Sequence, residues 1–200
     1  VALEGSNPPI ETASRLVQED LVAMERRAEG WCLTAAAVCF PTRWDLPSKL
    51  GRPLAGLHEP VPGYEGALSD STERFFERVK PGIAYQRGNW SLVDDPRLFQ
   101  PGGTDRGEAD PGITAENAGA TTWLRREHQT LRALPRTGVV LFTIRIFQDA
   151  LGEVAREAEL TRRLLGAVRT MDPALQHYKA MPVLRDAVVA YLEAGLRAST

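Results

Sequence analysis

One histidine of this sequence stands in a loop stiff enough to hold an imidazole ring in a fixed orientation. His58 is followed by Pro60 and Pro62 in the segment Leu57-His58-Glu59-Pro60-Val61-Pro62-Gly63-Tyr64. Each proline ring fixes its own backbone φ angle, and a metal ligand requires a ring of defined orientation. The other interpretation is a turn histidine that hydrogen-bonds the backbone, and the residue types alone leave both open.

A second candidate is the polar segment Trp123-Leu124-Arg125-Arg126-Glu127-His128-Gln129-Thr130. A strand sends alternate side chains to opposite faces of a sheet. One face then carries Arg125, Glu127 and Gln129. The opposite face carries Arg126, His128 and Thr130. Such a segment is either a solvated sheet face or the floor of a pocket, in which the Glu127 carboxylate would meet a cationic ligand.

The common signatures of enzymes and metal centres are absent from the sequence. It contains no phosphate-binding loop, dinucleotide glycine fingerprint, nucleophile elbow or HExxH helix. The last of the three histidines, His177, lies between helical segments, and we interpret it as a surface or packing residue. Two cysteines cannot supply the four thiolates of an iron–sulfur cluster.

The composition is that of a soluble globular protein of 200 residues, with 43% hydrophobic and 25% charged residues. The net charge of −2, with scattered basic residues, argues against nucleic acid as a partner. The longest uncharged apolar run, Trp31–Phe40, is too short to span a bilayer.

Cys32 and Cys39 lie too far apart along one strand to pair, and no secretory signal is visible, so we expect a reducing, cytoplasmic compartment. Because the chain begins at Val1, we also expect that its native amino terminus is missing.

Hydrophobic periodicity and turn residues predict the elements that must position these side chains. We predict a helix from an N-cap at Ser14 to about Arg27, a strand over Trp31–Phe40, a helix over Ser69–Val79 and a strand over Tyr85–Val93. The glycine-rich stretch Gln100–Thr121 is expected to be either a lid or disordered. Further along the chain we predict an antiparallel strand pair, Thr122–Leu131 and Gly138–Phe147, and helices over Asp149–Arg169 and Pro182–Leu196.

The second strand of that pair has one apolar face and one mixed face. The apolar face consists of Val140, Phe142, Ile144 and Ile146. Thr143 and Arg145 share the other face, and we expect them to line the same polar surface as Glu127.

Eight short stretches, in one order along the chain, resemble a single protein family. They are Val17-Gln18-Glu19-Asp20-Leu21, Cys39-Phe40-Pro41-Thr42-Arg43-Trp44, Lys49-Leu50-Gly51, His58-Glu59-Pro60-Val61-Pro62-Gly63-Tyr64, Arg87-Gly88-Asn89-Trp90, Gln129-Thr130-Leu131, Leu134-Pro135-Arg136-Thr137-Gly138 and Phe142-Thr143-Ile144-Arg145. The family is that of the haem-dependent oxidative N-demethylases, alpha-subunit-like, and the resemblance covers about residues 17–147. One position departs from it, because His128 stands where the family pattern has an arginine.

The resemblance implies an α+β, PAS-like fold in which an antiparallel sheet flanked by helices holds haem b. It implies a monooxygenase that removes a methyl group from a small alkylamine and releases formaldehyde. Electrons would come from NADPH through reductase subunits that carry FMN and iron–sulfur centres, none of them bound by this chain. A non-catalytic haem-binding or small-ligand-binding PAS-type sensor is the alternative, and a structural subunit that has lost its cofactor is a third reading.

The resemblance also assigns roles to individual residues. His58 becomes the expected proximal ligand to the haem iron, and Glu127 the residue that binds the amine. The resemblance leaves open which arginines meet the haem propionates, and we expect Arg87 and Arg145 to do so. We expect residues 1–148 to form the haem-binding domain and residues 149–200 to add helices packed on the same domain, with no membrane or nucleic-acid partner and with self-association left open.

Overall fold

An open antiparallel sheet of five strands organises residues 7–102 and 108–198, the part of the chain that this computed structural model describes. The strands are β1 (Asp20–Arg27), β2 (Gly30–Ala37), β3 (Tyr85–Val93), β4 (Trp123–Ala133) and β5 (Val140–Ala150). Their order across the sheet is β2-β1-β5-β4-β3, so β1 and β5 are adjacent although they lie far apart in the sequence. In that pairing Leu21 lies opposite Thr143 and Asp20 lies opposite Ile144.

Helices flank the sheet, and the fold is α+β as predicted; a PAS-like arrangement is compatible with it. The helices are α1 (Pro9–Ser14), α2 (Leu54–His58), α3 (Ser69–Glu77), α4 (Ala118–Thr121), α5 (Leu151–Val154), α6 (Ala158–Thr170), α7 (Pro173–Tyr178) and α8 (Arg185–Ala198). Within the described ranges, no helix has the length and apolar character needed to cross a membrane.

Most of the predicted elements are confirmed, with small differences in their bounds. Strand β3 has the predicted bounds, and α3 ends two residues before the predicted Val79. The helix predicted over Asp149–Arg169 is divided into α5 and α6. The last helix begins at Arg185 instead of Pro182, because Met181–Val183 forms a short 3₁₀ turn.

The helix predicted from Ser14 to Arg27 is wrong. Ser14 is the last residue of α1, and residues 20–27 form strand β1. The cause is that both faces of β1 are buried. Val22 and Met24 belong to the core cluster on one side of the sheet, and Leu21 lies on the other side beside the residues around α1. All three are buried, so the period of two that identifies a half-exposed strand is hidden.

The described chain separates into two compact units. Unit 1 comprises residues 7–89, 98–102 and 127–146, and its core is a cluster of side chains from β1, β2, β4, β5 and the helices α2 and α3. It includes Val22, Met24, Leu33, Leu54, Phe76, Leu131 and Val140. The division predicted from the sequence, 1–148 and 149–200, follows chain order and stays a prediction.

Unit 2 comprises residues 90–97, 108–126 and 147–198. Its core contains Leu92, Ala118, Leu124, Leu151, Val168, Met181, Val188 and Leu192. Part of the stretch predicted to be a lid or disordered is therefore built into a core, since Ala118 in α4 is fully buried and the Asp110 N–H donates to the Val183 carbonyl at 3.0 Å. Residues 103–107 of that stretch lie outside the described part of the chain.

Two buried threonines of unit 2 differ in one respect that predicts opposite effects on stability. Thr122 is fully buried and its hydroxyl has no hydrogen-bond partner among the described residues, whereas the buried Thr161 hydroxyl donates to the Glu157 carbonyl at 2.8 Å. Valine has nearly the same shape as threonine and no polar atom. We expect Thr122→Val to raise the free energy of unfolding by about 1 kcal/mol, because it removes an unsatisfied buried hydroxyl, and Thr161→Val to lower it by about 1 kcal/mol. Urea unfolding of the two variants beside the parent protein checks this, and equal effects of the two substitutions would contradict it.

Candidate functional site

The carboxylate of Glu127 is surrounded by neutral hydrogen-bond donors from three segments of unit 1. The Thr42 hydroxyl donates to Oε1 at 3.1 Å. The side-chain amides of Asn89 and Gln129 donate to Oε2 at 3.4 Å and 2.7 Å. Glu127 is half-buried, and no lysine or arginine forms an ion pair with it within the described ranges.

This arrangement leaves the carboxylate able to accept one more hydrogen bond. An ionised carboxylate offers about four lone-pair positions, two on each oxygen. Among the described residues, Oε2 receives two donors and Oε1 receives one, the Thr42 hydroxyl. A half-buried negative charge that lacks a cation favours a cationic ligand, because removal from water is costly for an uncompensated charge.

His58 lies at the carboxyl end of α2, and its ring is held by two contacts. Nδ1 lies 2.9 Å from the Leu54 carbonyl oxygen. Since a carbonyl can only accept, Nδ1 carries the proton and Nε2 keeps its lone pair. The ring also stacks on Tyr64, with centroids 4.4 Å apart and planes 12° from parallel. Gly63, at φ 71°, makes the left-handed turn that precedes Tyr64.

The electrostatic surroundings favour the neutral form of His58. Burial is the largest influence and lowers the pKa of the imidazole below its usual value of about 6.5. The hydrogen bond to the Leu54 carbonyl partly offsets this, while the positive charges of Arg87 and Lys49 lower the pKa further. A neutral imidazole with a fixed Nδ1–H is the form in which Nε2 binds a metal ion.

His58, Arg87 and Glu127 lie on one side of the sheet. Helix α2 packs through Leu54 and Leu57 against the core cluster that contains Leu131 and Ala133, and these two residues share the face of Glu127 along β4. On β3, Arg87 shares the face of Asn89, whose side chain contacts Glu127. Arg87 is exposed and forms no ion pair within the described part of the chain.

Arg145 lies on the opposite side of the sheet, so the expectation that Thr143 and Arg145 line the surface of Glu127 is wrong. The Thr143 hydroxyl is 2.7 Å from the Thr130 hydroxyl, and Thr130 belongs to the face of β4 that also carries His128. The reason is that the face of β4 that carries Glu127 lies on the same side of the sheet as the apolar face of β5, which includes the core residue Val140.

A groove of about 460 Å³ lies on this second side. Its walls come from the residues around α1 and from β1, β4 and β5, and they include Leu16, Val17, Leu21, His128 and Arg145. Nη1 of Arg145 is 3.3 Å from Oε1 of Glu19, and the two side chains are 36% and 28% exposed. The structure thus confirms the predicted separation of His128 from Glu127. The groove, which is lined by His128 and Arg145, is also large enough to hold a ligand.

Three residues of the site were not singled out from the sequence: Thr42, Asn89 and Tyr64. Each belongs to a stretch that carries the family resemblance, namely Cys39–Trp44, Arg87–Trp90 and His58–Tyr64. The signal was therefore present, but no spacing in the sequence shows that the first two converge on one carboxylate.

A protein-family model matches nearly the whole chain. Its description is haem-dependent oxidative N-demethylase, alpha subunit-like, and the match covers residues 2–189. Every residue discussed in this subsection lies within that range.

The lowered pKa of His58 gives a titration test. The unfolded chain takes up a proton near pH 6.5, whereas folded His58 does so at lower pH, so between these two pH values the unfolded state binds more protons. Stability contributed by the neutral ring is therefore complete above the unfolded pKa and is lost as pH falls toward the folded pKa. We expect the His58 ring signals, assigned by their loss in His58→Gln, to titrate below the usual range in an NMR pH series on the cofactor-free protein. A His58 pKa above 6.5 would contradict the described environment.

Proposed function

We propose that this chain, which belongs to the haem-dependent oxidative N-demethylase, alpha subunit-like family, is the haem-binding subunit of a monooxygenase acting on a small N-methylated amine. The observation that carries the amine assignment is the Glu127 carboxylate, held by three neutral donors and open to one more. An alkylammonium N–H at Oε1 would supply both the missing hydrogen bond and the missing positive charge.

The residues around His58 fit a haem ligand. Its Nδ1–H is engaged by the Leu54 carbonyl, and no described residue hydrogen-bonds Nε2. Haem iron needs only one such imidazole from the protein, as in other histidine-ligated haem proteins. Arg87, on the same side of the sheet, is an exposed arginine without an ion-pair partner in the described structure and would meet a propionate. Arg145 is on the other side and is already paired with Glu19, so we assign it no role toward the cofactor.

The division of work between cofactor and chain follows from these contacts. When bound, haem b supplies the oxidising chemistry that converts the N-methyl carbon to formaldehyde. His58 would hold the iron through Nε2, and stacking on Tyr64 limits rotation of the imidazole. Glu127 binds the ammonium through Oε1 and so fixes the direction of its methyl groups. Asn89 and Gln129, by occupying Oε2, leave Oε1 as the oxygen with room for a further donor.

The family description names an alpha subunit, which supports a complex with other subunits. We propose that those partners are reductase subunits carrying FMN and iron–sulfur centres, which deliver electrons from NADPH.

Replacing His58 tests the iron ligand. We expect purified His58→Ala to lose the Soret band or to show altered axial-ligand spectra, and added imidazole to restore much of the parent spectrum by filling the space left by the side chain. His128→Ala is the matched control, because His128 is exposed on the opposite side of the sheet, and it should keep the parent spectrum. If His128→Ala loses haem and His58→Ala keeps it, the cofactor occupies the opposite groove and the assignment of His58 is wrong.

Replacing Glu127 tests the amine site. Glu127→Gln keeps the shape of the side chain and removes the charge, so alkylamine binding should weaken by roughly 2–3 kcal/mol, which is about 30- to 150-fold in Kd. The measurement is titration of the haem-loaded protein with dimethylamine and trimethylamine, followed by the shift of the haem spectrum, with haem content unchanged. Glu19→Gln, on the opposite side, is the control and should bind as the parent does. Parent-like binding by Glu127→Gln would contradict the amine assignment, and the absence of any amine-induced shift in the parent would favour a sensor.

A further inference from the structure

We propose that Asp20 is a positioning residue that holds the segment Cys39–Trp44 in the conformation in which Thr42 reaches Glu127. Its consequence for amine binding rests on the proposed function, whereas its consequence for the position of Thr42 does not. Asp20 lies at the start of β1, far from Glu127 in the sequence, and none of the roles described above uses it.

Asp20 is buried, with 2% of its surface exposed, and its carboxylate binds two successive backbone amides. The Cys39 N–H donates to Oδ1 at 2.7 Å. The Phe40 N–H lies 3.2 Å from Oδ1 and 3.3 Å from Oδ2 and is shared between them. Hydrogen bonds to an ionised acceptor are about twice as strong as neutral ones, so these contacts fix two peptide groups firmly.

These two amides follow directly on the end of the β1–β2 ladder. The last pair of that ladder joins Leu21 to Ala37, and Cys39 and Phe40 lie beyond it in the chain. A partly buried N–H without a partner is costly. The Asp20 carboxylate therefore accepts the hydrogen bonds of these two amides just beyond the last strand pair, and it sets the direction in which the chain leaves β2.

The chain is held a second time by Gln100, on both sides of Thr42. The Gln100 N–H donates to the Pro41 carbonyl at 3.2 Å, and the Arg43 N–H donates to the Gln100 carbonyl at 2.7 Å. The peptide groups before and after Thr42 are thus both fixed, and the proline ring adds a fixed φ angle. Because threonine is branched at Cβ and stiff at χ1, its hydroxyl then has little freedom to move away from Glu127 Oε1.

A purely structural role for Asp20 makes a different prediction from a positioning role. If Asp20 only stabilises the fold, its removal lowers stability and leaves the surroundings of Glu127 unchanged. If it positions Thr42, its removal changes the site in the same way as removal of the Thr42 hydroxyl, and the two changes together have no further effect.

The first arm of the experiment needs neither haem nor amine. In cofactor-free protein, NMR records the side-chain amide signals of Asn89 and Gln129, which both donate to Glu127. We expect Asp20→Asn and Thr42→Val to shift these signals in the same direction. Asp45→Asn is the matched control, because Asp45 also accepts a backbone N–H, from Ser48 at 3.0 Å, but it lies after the Cys39–Trp44 segment. It should leave the signals of Asn89 and Gln129 in place.

The second arm is a double-mutant cycle on amine affinity in the haem-loaded protein. We expect Asp20→Asn and Thr42→Val each to raise the Kd for dimethylamine by about fivefold, the effect of one ordinary hydrogen bond, and the double variant to bind no more weakly than either. Thr42→Ser, which keeps the hydroxyl, should restore most of the affinity. If Asp20→Asn does not fold, Asp20→Glu keeps the charge and, by its greater length, should displace the same amides and shift the same signals.

The two arms separate failure of this inference from failure of the proposed function. Unchanged Asn89 and Gln129 signals in a folded Asp20 variant, or additive effects in the cycle, would overturn the positioning role. An absence of amine binding by the parent would overturn the proposed substrate, while the NMR arm would still decide the role of Asp20.

Discussion

A carboxylate that is partly withdrawn from water needs hydrogen-bond donors, and the side of the sheet that carries Glu127 supplies them. Its donors come from the segment after β2, from β3 and from β4 itself. None carries a positive charge. A salt bridge to an arginine would satisfy the carboxylate more completely, but it would also leave no charge for a ligand to neutralise. Neutral donors keep the negative charge available while holding the side chain in one place.

The two sides of the sheet differ in whether their charged side chains form ion pairs. On the side of Glu127, His58 is kept neutral by burial and by the nearby positive charges of Arg87 and Lys49. On the other side, Arg145 and Glu19 form an ion pair at the edge of an open groove and compensate each other. Within the described structure, the side of Glu127 therefore carries a carboxylate without a cationic partner, Glu127, and an exposed arginine without an anionic partner, Arg87. A titratable group whose pKa is shifted by burial and by neighbouring charges, as that of His58 is, marks a candidate functional site.

The faces of single strands could be predicted from the sequence, whereas the relation between strands could not. Alternation along β4 correctly separated Glu127 from His128, because a period of two is a property of one strand. The same reasoning placed Arg145 on the wrong side, since it assumed that the polar faces of β4 and β5 coincide. Strand β1 was missed for a related reason: the core cluster covers one of its faces and the region around α1 covers the other, and neither packing can be read from the strand itself. Thr42 and Asn89 were beyond prediction because their contact with Glu127 depends on tertiary structure alone.

The sequence separation of these contacts also sets the order in which the site can form. The hydrogen bond from Thr42 to Glu127 closes a loop of 85 residues, and the pair of Glu19 with Arg145 spans 126. At a synthesis rate of about 5–20 residues per second, roughly 4–17 s pass between the addition of Thr42 and that of Glu127. Throughout that interval β1 lacks its neighbour β5, and one edge of the nascent sheet is open to pairing with other chains. The nascent chain therefore carries an aggregation risk at this temporary edge until β5 has been synthesised and pairs with β1.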